Sequence, residues 1–439
     1  MAFIEITSVE RIDSAGEQLL AWGIDLPLGP AVIDGYFLTI AGWVVGRERA
    51  IEGMTLRLGD NLFLSCCAID RLRPDVTEHL DLAPELRTGF EFAINVIALP
   101  SSFALTLKAL VDCRDMYGEQ DDAIPLAILR GTHSRPHTSF KPRRQPIALT
   151  SLGRTGTTLV MQMLASHPAI VAQRVYPFET RMAAWWLHSL TILGGHARHA
   201  ESSHPDTFLR NPFAIGHNPW AIDNGPNGEA LRAWLRGVAV EDLAAFCQRQ
   251  IDEAYVRIAA DQHEEASRFF IEKTVPTHVP RILRQLYDGP REIFLVRDFR
   301  DMFCSMASFD AKRNQNDFQR DDLDAGTFLD RMIRDLRRLV LSWEERRESA
   351  MLVRYEDLVA APGEALQRIT SYLGIDGSVE TIASMMAAAD GAPELLAAHR
   401  TSADAEQSIG RFRREMSSAL QERSLELGSD LLAALGYEA

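Results

Sequence analysis

Several protein classes are excluded by what this chain has little of. Its 439 residues hold only five cysteines (66, 67, 113, 247 and 304), with no CxxC pair and one left over in any pairing. That spacing argues against a disulfide framework and a zinc site, and it fits a reducing, cytoplasmic setting. No run of about 18 apolar residues occurs, so no transmembrane helix is expected. The N-terminus, MAFIEITSVERIDSAGEQLL, has neither the basic start nor the continuous apolar core of a secretory signal. Basic residues are outnumbered, 46 Lys and Arg against 61 Asp and Glu, for a formal charge of −15, which disfavours a general nucleic-acid partner. A hydrophobic content of 46% supports one sizeable core and a second, smaller domain.

What is present is organised around Gln145 to Leu164, QPIALTSLGRTGTTLVMQML. An apolar run breaks into Ser151-Leu-Gly-Arg-Thr-Gly-Thr-Thr158 and resumes as an amphipathic one, the pattern of a buried strand, a tight loop and a helix. Such a loop can cradle a phosphate. Gly153 and Gly156 permit positive φ and a close backbone approach to an oxyanion, and the amides opening the helix point at its charge. Arg154 adds a cation, and Ser151, Thr155, Thr157 and Thr158 add hydroxyls. The loop lacks the four-residue gap and the Gly-Lys pair of a Walker A motif, which disfavours a nucleoside triphosphatase. A merely structural turn is the competing reading.

About 140 residues on, REIFLVRDFRDMFCS places Arg297 at the end of a short apolar strand and Ser305 eight residues later in the following helix. A guanidinium and a hydroxyl so spaced can converge on one phosphate. Around them, from 273 to 300, six Lys or Arg face three acids, so the local field is positive. The alternative is that Arg297 simply pairs with Asp298 or Asp301. Together, the two motifs resemble those of the sulfotransferases that use 3′-phosphoadenosine 5′-phosphosulfate (PAPS). The resemblance runs from about Pro146 to Met416, with Phe178 where a Trp is usual and Phe299 where a Pro is common.

The resemblance implies that the loop holds the 5′-phosphosulfate and that Arg297 and Ser305 hold the 3′-phosphate. It also implies a base to take the acceptor's proton. Glu179, in Tyr176-Pro-Phe-Glu after the cradle helix, is the candidate, with a pKa expected to be raised by partial burial; capping a helix start is its plainer role. Lys273, ending the RFFIEK strand and followed by Pro276, resembles the family's Lys-x-x-Pro element and is placed to stabilise leaving-group charge, a surface ion pair with Glu272 being the alternative. His167 is preferred as a helix-terminal residue and His278 is a weaker acid–base candidate. Arg411 and Arg413, in Ser408-Ile-Gly-Arg-Phe-Arg-Arg414, resemble the C-terminal element that closes over the nucleotide, as does His399-Arg400-Thr-Ser402 before it, a solvated basic helix start being the alternative. The Val353-Arg-Tyr-Glu-Asp-Leu358 run resembles a family signature and is assigned to the fold.

Residues 1 to about 135 carry no catalytic constellation. Alternating stretches at Tyr36–Val45, Met54–Ile69, Phe90–Ile97 and Phe103–Val111 predict short antiparallel strands in a sandwich, with Trp22 and Trp43 as core residues. The segment resembles β-sandwich modules of glycan-processing enzymes. THSRPHTSFKPRR (132–144) has a linker's composition, its Lys141, Arg143 and Arg144 taken as solvated. Between 181 and 265, helices at Arg181–Leu193 and Ala230–Ala260 and a loop from Asn211 to Gly228 are expected. Trp185, Trp186, Phe213 and Trp220 are candidates for an acceptor pocket or for ordinary core. A leucine-rich helix from Glu415 to Leu435 is expected to pack on its own domain or on a second chain.

The expectation is therefore an accessory β-sandwich domain (1–135), a linker (136–145) and an α/β sulfotransferase domain (146–439), its parallel strands at 146–150, 169–172, 268–273, 292–297 and 350–355 flanked by helices. It would move a sulfuryl group from PAPS, with no metal, to a hydroxyl or amine of a small-molecule, glycan or lipid acceptor. Two alternatives remain open: a Mg-ATP kinase of P-loop type, with Asp298 on the metal, and a nucleotide- or glycan-binding scaffold without turnover.

Overall fold

A computed structural model describes residues 3–12, 18–59, 62–111, 123–193, 228–313, 324–390, 401 and 405–438. The chain divides into two compact units, Met1–Lys141 with Trp185–Arg249, and Pro142–Ala184 with Gln250–Ala439. Phe213 and Trp220 of the expected 211–228 loop, His399, Arg400 and Cys113 lie outside the described residues.

The first unit holds strands β1 (Ile4–Arg11), β2 (Leu19–Leu26), β3 (Ala31–Ile33), β4 (Phe37–Gly46), β5 (Gly53–Leu58), β6 (Leu62–Ala68), β7 (Arg71–Leu72), β8 (Arg87–Asn95), β9 (Ser102–Leu110) and β10 (Ile124–His133). They form a six-stranded antiparallel sheet, β3-β1-β10-β9-β5-β6, and a four-stranded one, β2-β4-β8-β7. Leu38, Ile40, Leu105, Leu107 and Leu129, alternate residues of their strands, are completely buried, which is the period-2 signature of a sandwich face. The expected run at 54–69 is a hairpin, β5 and β6. Trp43 is half-buried with its indole against Gly23, and Trp22 carries the Arg11 guanidinium 4.1 Å from its ring centre. The helical stretch expected at 230–260 breaks at Gly237 into Glu229–Arg236 and Val238–Asp261. The first of these is tied to the sandwich, the Tyr36 amide donating to the Arg236 carbonyl (2.8 Å).

In the second unit β11 (Gln145–Thr150), β12 (Ile170–Val171), β13 (Phe269–Thr274), β14 (Arg291–Val296) and β15 (Met351–Arg354) form a sheet in the order β12-β13-β11-β14-β15. Every pairing is parallel, at the positions expected from sequence. The near-continuous apolar run of β14 has a direct cause, since both faces of the sheet are covered. Ile293 and Leu295 pack with the helices Thr157–Ala165, Pro362–Leu373 and Val379–Asp390. Phe294 and Val296 pack on the other side with Phe299–Arg313, Ala325–Arg346 and Ser418–Ala434. That last helix buries Leu431 and Leu432 against this same core, so it packs on its own domain. Arg144 is not solvated: it is buried, and its Nε donates to Ser267 Oγ (2.8 Å).

Candidate active site

Four strand ends meet here. The loop after β11 turns through two left-handed residues, Arg154 (φ +67°) and Gly156 (φ +89°), while Gly153, expected to share that role, does not. Gly156 is required on two counts: its φ, and the 2.5 Å at which an added Cβ would meet Tyr355 Cδ2. Ser151 and Thr155 are buried and brace the loop internally, Ser151 Oγ donating to the Leu295 carbonyl (2.8 Å) and bonding Thr155 Oγ1. The helix Thr157–Ala165 begins at Gly156 without a side-chain cap, so its first amides remain directed at the loop mouth.

On the β14 side, Arg297 is 5% exposed and makes no ion pair among the described residues. The expected alternatives, Asp298 and Asp301, are both otherwise engaged. Asp298 takes the Arg300 guanidinium (2.8 and 3.0 Å), and Asp301 accepts the backbone amides of Gly410 (2.7 Å) and Phe412 (3.0 Å). Arg297 instead donates to the carbonyls of Arg154 (3.1 Å) and Ser408 (2.5 Å) and lies over the Tyr355 ring (4.7 Å), and its buried Nε has no hydrogen-bond partner among the described residues. Arg154 donates to Ser305 Oγ (3.2 Å), which bonds Thr401 Oγ1 (3.0 Å), which in turn accepts from Arg411 (3.0 Å). Burial, together with the charges of Arg297 and Arg411, pushes the Arg154 pKa down to about 10. A buried cluster of like charges, in which Arg411 also pairs with Glu415 (2.7 Å), is a setting that an anion would stabilise. Arg413 stands apart, exposed, with its guanidinium 4.9 Å from the Phe412 ring centre.

On the β13 side, Lys273 is 4% exposed and turns away from Glu272, which accepts instead from the Ala183 amide (2.6 Å) and the Tyr255 hydroxyl (2.7 Å). The Lys273 ammonium bridges the cradle and the candidate base, donating to Thr158 Oγ1 (3.0 Å), the Pro177 carbonyl (2.5 Å) and Glu179 Oε1 (3.1 Å). Burial lowers the Lys273 pKa against the opposing pull of Glu179. Burial pushes the half-exposed Glu179 carboxyl up, but the charges of Lys273 and Arg181 outweigh it and hold it below the usual range, the reverse of the expectation. Arg181 donates to Glu179 Oε2 (2.5 Å). His167 is structural: its Nδ1 accepts the Ala169 amide (3.0 Å), and Nε2 lies 2.9 Å from the Asp376 carbonyl.

Sequence reasoning missed Tyr355, assigned only to the fold, although it touches Gly156 and Arg297 and bonds Ser408 Oγ (3.1 Å). A tyrosine one residue past a fifth parallel strand was the signal available. Thr401 and Ser408 stand in the C-terminal stretches that resemble the family's nucleotide-closing element, but no individual role was assigned to either.

Residues 146–380 match the model of the sulfotransferase family, more than half of the chain, and the protein belongs to that family. No curated protein matches it. Solved structures that resemble it include the sulfotransferase domain from the curacin biosynthetic pathway (16% identity, covering 68% of this chain and 99% of that one, TM-score 0.35). Mouse sulfotransferase SULT7A1 complexed with PAP is 14% identical (67% and 87% covered, TM-score 0.38). Sulfotransferase STF9 from Mycobacterium avium is 16% identical (68% and 78%, TM-score 0.34). Among the described residues no helix is long and apolar enough to cross a membrane, and no cluster of metal-ligating side chains is found.

Proposed function

We propose that the protein transfers a sulfuryl group from PAPS to a hydroxyl or amine of a small-molecule, glycan or lipid acceptor. The observation that carries this reading is Arg297: a buried guanidinium at a strand end that, among the described residues, has no carboxylate partner and an unbonded Nε, beside Arg154 and Ser305. Arg297 and Ser305 suit a nucleotide 3′-phosphate, and the uncapped helix at Gly156, with Arg154 beside it, suits a 5′-phosphosulfate. PAPS supplies an activated sulfuryl group whose bond to the bridging phosphate oxygen breaks as the acceptor oxygen bonds to sulfur. The loop amides, Arg154 and Thr157 hold the phosphosulfate end. Lys273 stabilises charge on the bridging oxygen, and Glu179 takes the acceptor's proton. As Lys273 turns toward that oxygen its hold on Glu179 weakens, which makes the carboxylate a stronger base at the moment a proton must be accepted. Residues 146–439 would form the sulfotransferase domain and 1–135 an accessory module joined by 136–145; its sandwich form favours a carbohydrate or glycolipid acceptor. The location proposed with it is cytoplasmic, a reducing setting that suits an odd number of cysteines without a CxxC pair.

A Mg-ATP kinase would need Asp298 for the metal, but both its oxygens are taken by Arg300. Calorimetry with PAP, AMP and ATP in EDTA, on the native protein and on Arg297→Ala, tests the reading. Binding of PAP that exceeds AMP and is lost in the variant is the expected result. ATP binding only on restoring magnesium, with none of PAP, would overturn it. PAP binding with no turnover of any hydroxyl or amine acceptor, unaltered by Glu179→Gln, would leave a binding scaffold.

A further inference from the structure

Asp301 is 1% exposed and lies four residues from Arg297, yet among the described residues it pairs with no arginine. Each oxygen is spent on a different backbone amide, Oδ2 on Gly410 (2.7 Å) and Oδ1 on Phe412 (3.0 Å), so the two bonds bracket Arg411. The segment so held does three things at the arginine cluster. Its Ser408 carbonyl receives Arg297 Nη2 (2.5 Å), its Ser408 hydroxyl meets Tyr355 (3.1 Å), and its Arg411 reaches Thr401 Oγ1 (3.0 Å) and Ser308 Oγ (2.8 Å). Gly410 is left-handed (φ +67°), which a tight turn delivering two neighbouring amides to one carboxylate requires. Burying a carboxylate to hold two amides is a costly way to fasten a surface turn, and it is repaid only if the turn must sit at one place.

We propose that Asp301 is a positioning residue for the 3′-phosphate: it clamps the 408–412 turn so that Arg297 and Arg411 are set before ligand arrives. The inference rests on the PAPS reading above. Acting through the turn, Asp301 governs the part of nucleotide affinity that comes from the 3′-phosphate and leaves the 5′ side alone. In Asp301→Asn the shape is kept, but one amide N–H then faces an NH₂ group, which removes an acceptor and opposes two donors.

The test is calorimetry of PAP and AMP on the native protein, Asp301→Asn, Arg297→Ala and the double variant, with thermal unfolding of each. The expected result is that the PAP-over-AMP preference falls about tenfold or more in Asp301→Asn while AMP affinity is unchanged, and that the double variant is no worse than Arg297→Ala. Equal weakening of PAP and AMP, or an intact preference, overturns the proposal. A native protein that shows no preference for PAP overturns the functional reading instead. If Asp301→Asn does not fold, amide exchange in the native protein decides: slow exchange at Gly410 and Phe412 without ligand supports a preset turn, and fast exchange at both refutes it.

Discussion

Replacing Arg297 by alanine separates a ligand-binding arginine from a structural one, because the two roles predict opposite effects. Two charge-assisted hydrogen bonds to a phosphate contribute about 1.5–3 kcal/mol each, roughly 3–6 kcal/mol in all. Part of that is offset, since water can enter the space left by the side chain and solvate the phosphate. A net loss of about 3 kcal/mol, roughly a hundredfold in the Kd for PAP, is the expected outcome. Ligand-free stability should behave differently. Arg297 has two carbonyl bonds and a ring contact to lose, worth about 1 kcal/mol apiece, against the cost of an unpaired buried charge of several kcal/mol. Stability should therefore stay within about 1 kcal/mol of the native value or rise. Calorimetry with PAP and AMP, paired with denaturant unfolding, reads both quantities. Destabilisation by more than about 3 kcal/mol with PAP affinity intact would show that Arg297 is a structural residue and refute the reasoning.

Other expectations follow from the same geometry. Glu179→Gln should lower kcat by about 10²–10⁴-fold with PAP affinity unchanged, measured by steady-state kinetics and calorimetry. In Arg181→Gln the Glu179 carboxyl loses one of the cations that depress its pKa. Its pKa then rises, the base is protonated sooner as pH falls, and the acid limb of kcat/KM should move to higher pH. The alkaline limb should respond to Lys273, whose pKa is lowered by burial. Lys273→Arg, which cannot lose its proton in this range, should carry that limb to higher pH if any turnover survives. Gly156→Ala should destabilise the fold by at least about 1–2 kcal/mol through its left-handed φ, with a further cost from the Tyr355 ring, and should abolish PAP binding.

The parallel sheet was legible because each of its strands is a short apolar run with charge or glycine at its end, as REIFLVR shows, and because both faces are buried. β10 and β1 were not. They pair with each other across more than 100 residues, so no turn between them marks the register. At the site, the residues of the two phosphate motifs and the C-terminal stretches holding Thr401 and Ser408 were found, while Tyr355 was not, because its contacts with Gly156 and Arg297 are made by tertiary structure. The sign of the Glu179 shift also escaped sequence reasoning. Burial alone predicts a raised carboxyl, and only the distances to Lys273 and Arg181 reveal that attraction exceeds desolvation.

Strand order carries a last consequence. Lys273 is the second-last residue of β13, the cradle follows β11, Arg297 follows β14 and Tyr355 follows β15, and these four strands are successive neighbours. Neighbouring strands lie about 4.8 Å apart, so the row of functional groups spans roughly 14 Å along the sheet's C-terminal edge. On the proposed reading that row fixes the direction of the nucleotide as well as its presence. The reacting end belongs over β13 and β11, where Lys273 and Glu179 meet, and the 3′-phosphate over β14, where the arginines gather. Chemistry at the β14 end would leave Lys273 and Glu179 without a task, and a nucleotide set the other way would place its 3′-phosphate against the Glu179 carboxylate. The segregation of charge, arginines on one side and an ion pair on the other, thus selects one orientation from the two that a symmetric cradle would accept.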